Sequence, residues 1–302
     1  MKWNQQRVLI TGGAGFIGSN LASRLVKEKA EVLVLDNFSA GKKEKIPSDC
    51  TVIRGNIEDT TVFRQIEPVD YVFNFGAPSS VILFNAEPTA CFQTTVCGFI
   101  NLLEWAKKVK VKKVVYPSSG SVYGAAPPPQ AEVDDVLPMN LYAVAKFACE
   151  HIARLYKQIP SIGLRIFAGY GPGEEHKGNF ASPVTLFLDM ILKDERPLVF
   201  GDGNQSRDFV YIDDVVEAII RAAERDIIGL VNVGSGKTYT FNECIESINL
   251  LLGKNISPTY VNKPVNYLER TLADTTKMKK LLNLNPSNLE EGLQKYLAHI
   301  NR

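Results

Sequence analysis

The sequence predicts an α/β protein: a doubly wound parallel sheet followed by a smaller, mixed α/β C-terminal region. Three observations carry this expectation. Near-continuous Val, Ile and Leu runs alternate with amphipathic helical patterns over the first 170 residues, as expected of strands buried on both faces of a parallel sheet. A glycine-rich turn, TGGAGFIG (11–18), joins the first such run to the first helical pattern. Asp36 then closes the second run.

The elements follow in order. RVLIT (7–11) precedes a helix near 16–28, and EVLVLD (31–36) and CTVIRG (50–55) read as the next strands. VDYVFNFGA (69–77) leads to a long helix near 89–109, KKVVYPSS (112–119) is a fifth strand, and a helix containing Tyr142 precedes IGLRIFAGYG (162–171). The Pro-rich AAPPPQAEVDD (125–135) is a loop. After residue 172 the pattern loosens into isolated short strands, PLVF (197–200) and LVNVG (230–234). Helices are expected near 182–193, 213–225, 240–252 and 274–283.

Composition excludes several classes of function. The chain has 302 residues, 45% hydrophobic and 22% charged, which is globular, and the net charge of +1 creates no field for nucleic acid or an anionic membrane. The basic run Lys107–Lys113 reads as a solvated helix end leading into a strand. Five cysteines (50, 91, 97, 149, 244) form no CxxC pair and suit reduced thiols in a cytoplasm. Nothing after Lys2 resembles a signal peptide, and no apolar run approaches the roughly 18 residues of a membrane span. The three histidines (151, 176, 299) lie far apart and there is no HExxH, so no metal site is expected.

The glycine turn carries chemistry. From Gly13 it satisfies GxGxxG and from Gly12 it satisfies GxxGxxG, with a strand before it, a helix after it and Asp36 about 20 residues on. Such a turn (Gly12, Gly15, Gly18) lets the backbone approach a pyrophosphate seated on the helix N-terminus. Asp36 would accept hydrogen bonds from the adenosine ribose. A carboxylate there repels a 2′-phosphate and Ala14 supplies no basic substitute, so NAD is expected in preference to NADP. Residues 1–170 therefore read as a Rossmann-type NAD-binding domain. Residues 171–302 read as predominantly a substrate-binding region, some of whose strands and helices return to the first domain.

PSSGSVYG (117–124) ends the fifth strand at the sheet's carboxyl edge, where ligands bind in such folds. Ser119 precedes Tyr142 by 23 residues, and Tyr142 and Lys146 share a helix face. A free phenol, with a pKa of about 10, is a poor base near neutrality. A nearby ammonium and a positive nicotinamide ring would both favour the phenolate. Ser119, Tyr142 and Lys146 are thus the candidate catalytic residues, with Lys146 also placed for the nicotinamide ribose.

Beyond the residues themselves, the chain resembles the extended short-chain dehydrogenase/reductase family of nucleotide-sugar epimerases and dehydratases. The resemblance rests on TGGAGFIG, LDNFS, SSGSVYG, YAVAK, GYGPGEEHKG and GDGNQSRDFVYIDD. It implies pyrophosphate contacts from Phe16 and Ile17, further cofactor contacts from Asn37, and adenine contacts from Asn56 and Ile57. Phe75, Gly76 and Ala77 would line the cofactor channel, and Ser119, Tyr142 and Lys146 match the catalytic triad. Ser121, Asn179, Arg207 and Arg270 fall on the substrate side, where the Arg207 guanidinium suits phosphate oxygens unless it pairs with Asp208 or Asp213.

Family dehydratases usually carry an acid directly after the catalytic Ser or Thr; here that place holds Gly120, so a redox-neutral epimerase is implied, most directly at C4 of a UDP-hexose. GAPSS (76–80) and GPGEEHKGNFAS (171–182) resemble instead the ADP-glycero-manno-heptose 6-epimerases, in which a lysine matching Lys177 lies near the sugar. A net 4-ketoreductase or sugar dehydrogenase and a non-enzymatic NAD-binding protein are the other readings. Ala168 and Thr95 stand where the family usually has Asn. The resemblance also implies a homodimer pairing the 89–109 and Tyr142 helices.

Overall fold

The computed structural model describes residues 2–263 and 268–300. Its central sheet contains β1 (Arg7–Thr11), β2 (Glu31–Asp36), β3 (Thr51–Arg54), β4 (Tyr71–Asn74), β5 (Lys113–Ser119), β6 (Ser161–Ile166) and an edge strand, Gly229–Val233. The spatial order is edge strand, β6, β5, β4, β1, β2, β3, and every neighbouring pair is parallel. The order reverses between β1 and β4, which opens a crevice at the carboxyl ends of those strands.

Side-chain alternation explains the two covering layers. Val8, Ile10, Val32, Val34 and Phe73 point to one face, where Leu21 and Leu25 of the Phe16–Lys27 helix and Val215 and Ile219 of the Ile212–Glu224 helix cover them. Leu9, Leu33, Leu35, Val72 and Val114 point to the other, against Phe99 and Leu102 of the Gly98–Val109 helix and Cys149 of the Leu141–Leu155 helix.

Several sequence expectations are sharpened. The strand expected near 230–234 is not isolated: Gly229–Val233 pairs with β6 along its whole length. The long helix expected near 89–109 is divided into Pro88–Phe92, a π-type turn at Gln93–Cys97, and Gly98–Val109. Lys107, Lys108, Lys110 and Lys112 are exposed as expected, but Lys113 is buried. Its ammonium donates to the carbonyls of Arg225 and Ile227, just past the Ile212–Glu224 helix. A cation there complements the negative end of the helix dipole, while burial pushes its pKa down.

The smaller C-terminal region is knotted together by Asp208, which is buried rather than a surface partner for Arg207. One carboxylate oxygen accepts from the Ser235 amide (2.6 Å) and hydroxyl (2.7 Å). The other accepts from the Gly236 and Ala273 amides, both at 3.0 Å. The Asp208 carbonyl also accepts from the Ala168 amide, which starts a short strand, Ala168–Tyr170, parallel to Phe209–Tyr211. A final helix, Leu289–Ile300, buries Leu289, Leu293 and Tyr296 in the same core. Among the described residues no helix is long and apolar enough to cross a membrane, and all five cysteines are unbridged.

Candidate active site

The glycine turn is built on close approach. Gly12 has φ +68°, and a Cβ on it would stand 2.4 Å from the Phe75 carbonyl oxygen. A Cβ on Gly18 would stand 2.2 Å from the Gly12 oxygen. Gly15 differs: a Cβ there would meet only the Gly12 oxygen, at 3.3 Å. The protein's own packing thus requires Gly12 and Gly18, whereas at Gly15 the missing side chain leaves room outside the turn. From Gly15 the Phe16–Lys27 helix begins with no side-chain cap and no acidic residue in its first turn. Its orphan amides and positive dipole end are offered to an anion, so Phe16, Ile17 and Gly18 fit a dinucleotide pyrophosphate. Phe75, Gly76 and Ala77 lie directly alongside: the Phe75 amide donates to the Thr11 carbonyl and the Gly76 amide to the Thr11 hydroxyl, both at 3.0 Å.

Asp36 closes the other side of the turn. Its carboxylate accepts from the Ala14 amide (2.9 Å) and the Phe38 amide (2.8 Å), so it holds the turn against β2 and keeps lone pairs for a ribose. Asn37 donates to Asn56 at 2.6 Å, and both are exposed. Ile57 turns inward and packs on Gly98, leaving Asn56 as the accessible member of that pair.

At the carboxyl end of β5, the Ser119 hydroxyl accepts from the Ser121 amide at 3.1 Å. The Leu141–Leu155 helix starts at Asn140, whose side chain accepts from the Ala143 amide at 2.9 Å. That cap fixes Tyr142 in the first turn, where its phenol feels the Ser119 hydroxyl. The Phe84 ring packs edge-on at 5.6 Å, and the Lys146 ammonium lies 5.7 Å from the Tyr142 ring centroid.

The electrostatics differ from the sequence expectation. Apolar surroundings push the Tyr142 phenol up, and the Ser119 hydrogen bond opposes them. Burial pushes Lys146 down, with the Cys149 thiol acting weakly the other way. Within the chain, burial is thus the largest influence on both groups and opposes the charged form of each.

Next to Ser119, a Cβ on Gly120 would stand 3.2 Å from the Phe167 ring. On the substrate side, Ser206–Arg207 pairs antiparallel with Tyr239–Thr240, and Ser206 bridges to Arg270. Arg207 and Arg270 are thereby brought to one edge. The Arg207 guanidinium lies 5.6 Å from the Phe241 ring centroid and donates to the Ser206 carbonyl at 2.9 Å. Asn179 is exposed in the Glu175–Phe180 turn. Lys177, from the same turn, bonds the buried Glu174 at 2.9 Å and lies 4.5 Å from the Phe16 ring centroid. Sequence reasoning missed Lys45, which donates to the Gly173 carbonyl and contacts His176 Nδ1 at 2.7 Å. It ties this loop to the segment after β2; only tertiary structure reveals that bond. Thr95 is buried in the π-type turn, where its carbonyl accepts from the Cys149 thiol at 3.4 Å.

Comparison with known proteins places these features in a family. A profile of the NAD dependent epimerase/dehydratase family matches residues 8–234. A putative UDP-glucose 4-epimerase of Methanocaldococcus jannaschii is 32% identical over 297 residues, covering 95% of this chain and 96% of the relative. Two solved structures superpose with TM-scores of 0.90. The UDP-glucose 4-epimerase of Thermus thermophilus, complexed with NAD, is 31% identical and covers 98% of this chain and 99% of its own. The ADP-L-glycero-D-manno-heptose-6-epimerase of Helicobacter pylori is 33% identical, covering 100% of this chain and 98% of its own.

The unequal glycines give a paired expectation. Gly15→Ala should leave the melting temperature of the cofactor-free protein nearly unchanged but weaken NAD binding by about tenfold or more, about 1.4 kcal/mol. Gly18→Ala should lower the melting temperature itself; the reverse pattern would contradict the geometry. Tyr142 gives a pH expectation. The Ser119 bond favours the phenolate, so in Ser119→Ala the rising limb of kcat/KM, set by Tyr142 deprotonation, should move to higher pH. A limb that stays in place would remove that bond from the tuning of the base.

Proposed function

Because this chain belongs to the NAD dependent epimerase/dehydratase family, we propose that it is a nucleotide-sugar epimerase that inverts C4 of a UDP-hexose through a transient 4-keto sugar. NAD, the cofactor of the family, would accept the C4 hydride and return it to the opposite face. Tyr142 takes the proton from the C4 hydroxyl and gives it back after the keto sugar has turned over, acting as base and then acid. Ser119 donates a hydrogen bond to the same oxygen. Lys146 supports the phenolate and orients the nicotinamide ribose. Arg207 and Arg270, with Asn179 and Ser121, hold the nucleotide and diphosphate, so that most of the substrate grip comes from residues 171–302.

The observation that carries epimerisation over water loss is Gly120 beneath the Phe167 ring. With glycine at position 120, β-elimination lacks its second proton carrier there, and a Cβ added at that place would stand only 3.2 Å from the ring. A second reading, epimerisation at C6 of an ADP-heptose, is favoured by Lys177: the buried Glu174 fixes it beside Phe16 at the edge of the cofactor turn, where a second acid–base could reach a bound sugar.

The setting proposed is a reducing cytoplasm, supported by the five unbridged thiols. The assembly proposed is a homodimer built on the Pro88–Val109 and Leu141–Leu155 helices. An apolar groove between them, lined by Pro88, Phe92, Val96, Cys97 and Leu141, supports it, with Leu141 and Val144 also exposed.

The decisive experiment incubates the protein with UDP-glucose, UDP-N-acetylglucosamine, UDP-glucuronate or an ADP-heptose, following products by NMR and NADH by absorbance. Inverted sugar without net NADH is expected; stoichiometric NADH, or no product from any of them, sinks the proposal. Tyr142→Phe should retain NAD and lose about 10²- to 10⁴-fold in turnover. Cys97→Arg, altering an exposed groove residue, should leave a folded monomer by light scattering; an unchanged dimer would move the interface elsewhere.

A further inference from the structure

A buried ion pair lies directly behind the proposed catalytic residues. Glu150 follows Lys146 by four residues and Tyr142 by eight, so all three share one helix face. Glu150 and Arg165 are buried to 1% and 0% exposure. The guanidinium grips the carboxylate with both prongs, Nε to Oε1 at 2.8 Å and the second terminal nitrogen to Oε2 at 2.7 Å. The Ser118 hydroxyl donates to the same Oε1.

The register makes this more than core packing. Ser118 sits opposite Arg165 across the β5–β6 pair, one residue before Ser119. Glu150 therefore joins the Tyr142 helix to both strands at the level where Ser119 emerges. Arg165 also donates to the Val133 carbonyl of the Pro-rich loop at 3.2 Å and lies 4.8 Å from the Tyr123 ring centroid. The Tyr123 hydroxyl donates to Asn232 of the edge strand at 2.6 Å. One fork thus ties together the helix carrying the base, the strand carrying its partner, and the loop beside them.

Burying such a pair is not a general means of gaining stability, because desolvating two ions costs about as much as their attraction returns. A bidentate fork does fix orientation, and proton transfer depends on orientation. We propose that Glu150 and Arg165, acting through Ser118, are positioning residues that set how Ser119 is presented to the Tyr142 phenol. This rests on the reading of Ser119 and Tyr142 as the proton-transfer pair.

The test compares Ser118→Ala and the paired variant Glu150→Met with Arg165→Met against wild type, on the nucleotide sugar that wild type turns over. Two apolar replacements leave no lone buried charge, so the fold is expected to survive. Melting temperature, bound NAD and KM should stay near wild type, while kcat falls by about 10²-fold in the paired variant and about tenfold in Ser118→Ala. A merely structural pair would leave kcat unchanged in a folded variant, and that result overturns the proposal. Should the paired variant not fold, Ser118→Ala decides alone, unchanged kcat again being fatal. Crystal structures of wild type and Ser118→Ala read the geometry without turnover: the separation of Ser119 Oγ from the Tyr142 hydroxyl should widen by about 1 Å, and unchanged separation refutes the positioning role. Silence of wild type on every nucleotide sugar would count against the epimerase reading, with the crystallographic comparison still judging the pair.

Discussion

The approach of Gly12 to the end of β4 is the constraint on which the rest depends. Strand order reverses between β1 and β4, so the two segments leaving those strands diverge and open a crevice. The turn after β1 can lie against Phe75 only because Gly12 and Gly18 have no side chains. That contact aims the Phe16–Lys27 helix so that its free amides face the crevice. β5, next to β4, then delivers Ser119 to the same carboxyl edge, and the following helix returns with Tyr142 and Lys146. A bulkier turn would lift the helix off the sheet and separate the anion site from the proton-transfer pair.

Within that frame the polar chemistry works against its surroundings. Enclosure raises the Tyr142 phenol and lowers Lys146, which by itself opposes formation of the phenolate. The Ser119 hydrogen bond is the opposing influence the chain supplies. In the proposed reaction the other is the oxidised nicotinamide, whose positive charge favours the phenolate. The sign follows the cycle. Tyr142 would have to accept a proton while a bound nicotinamide is positively charged, and would hold it once that charge is gone. A phenolate stabilised by solvent alone would lack that coupling.

What was legible in the sequence was what chain-local physics writes there. The six leading strands and the helices between them show in hydrophobic periodicity, and the cofactor turn shows because glycine spacing is dictated by backbone clearance. Ser119, Tyr142 and Lys146 stood out as candidates because the proposed chemistry needs those residue types near a strand end and on one helix face. Gly229–Val233 looked isolated because its pairing with β6 spans a long insertion. Lys113 looked solvated because a cation in a basic run carries no mark of the carbonyls it will cap. Asp208 was equally opaque, since its partners arrive from residues 235–236 and 273. Glu150 and Arg165 did leave a signal, an acid one turn beyond Lys146 and an arginine inside an otherwise apolar strand. It is readable only by someone asking what a buried charge would be doing there.

The identity of the sugar is the least local property of the molecule, for a physical reason. Nucleotide and diphosphate need cations, and Arg207 and Arg270 reach one edge through the bridge at Ser206. The sugar must be sorted by shape and by a few hydroxyl contacts, in space bordered by residues from several distant segments. Where the family resemblance leads one to expect amides, this chain has Thr95, sealed inside the π-type turn, and Ala168, whose side chain is a methyl group. A side chain at position 120 would crowd Phe167, a Cβ there standing 3.2 Å from its ring, and that ring packs on Tyr123 with centroids 6.1 Å apart. Tyr123 is in turn fixed by Asn232 and stacked under Arg165. The ring that crowds position 120 is therefore braced by the same buried network proposed to set the Ser119–Tyr142 geometry. An acid at position 120 would press on Phe167 and, through it, on Tyr123 and Arg165, so a proton carrier for water loss would be gained at the expense of the alignment proposed for Ser119 and Tyr142.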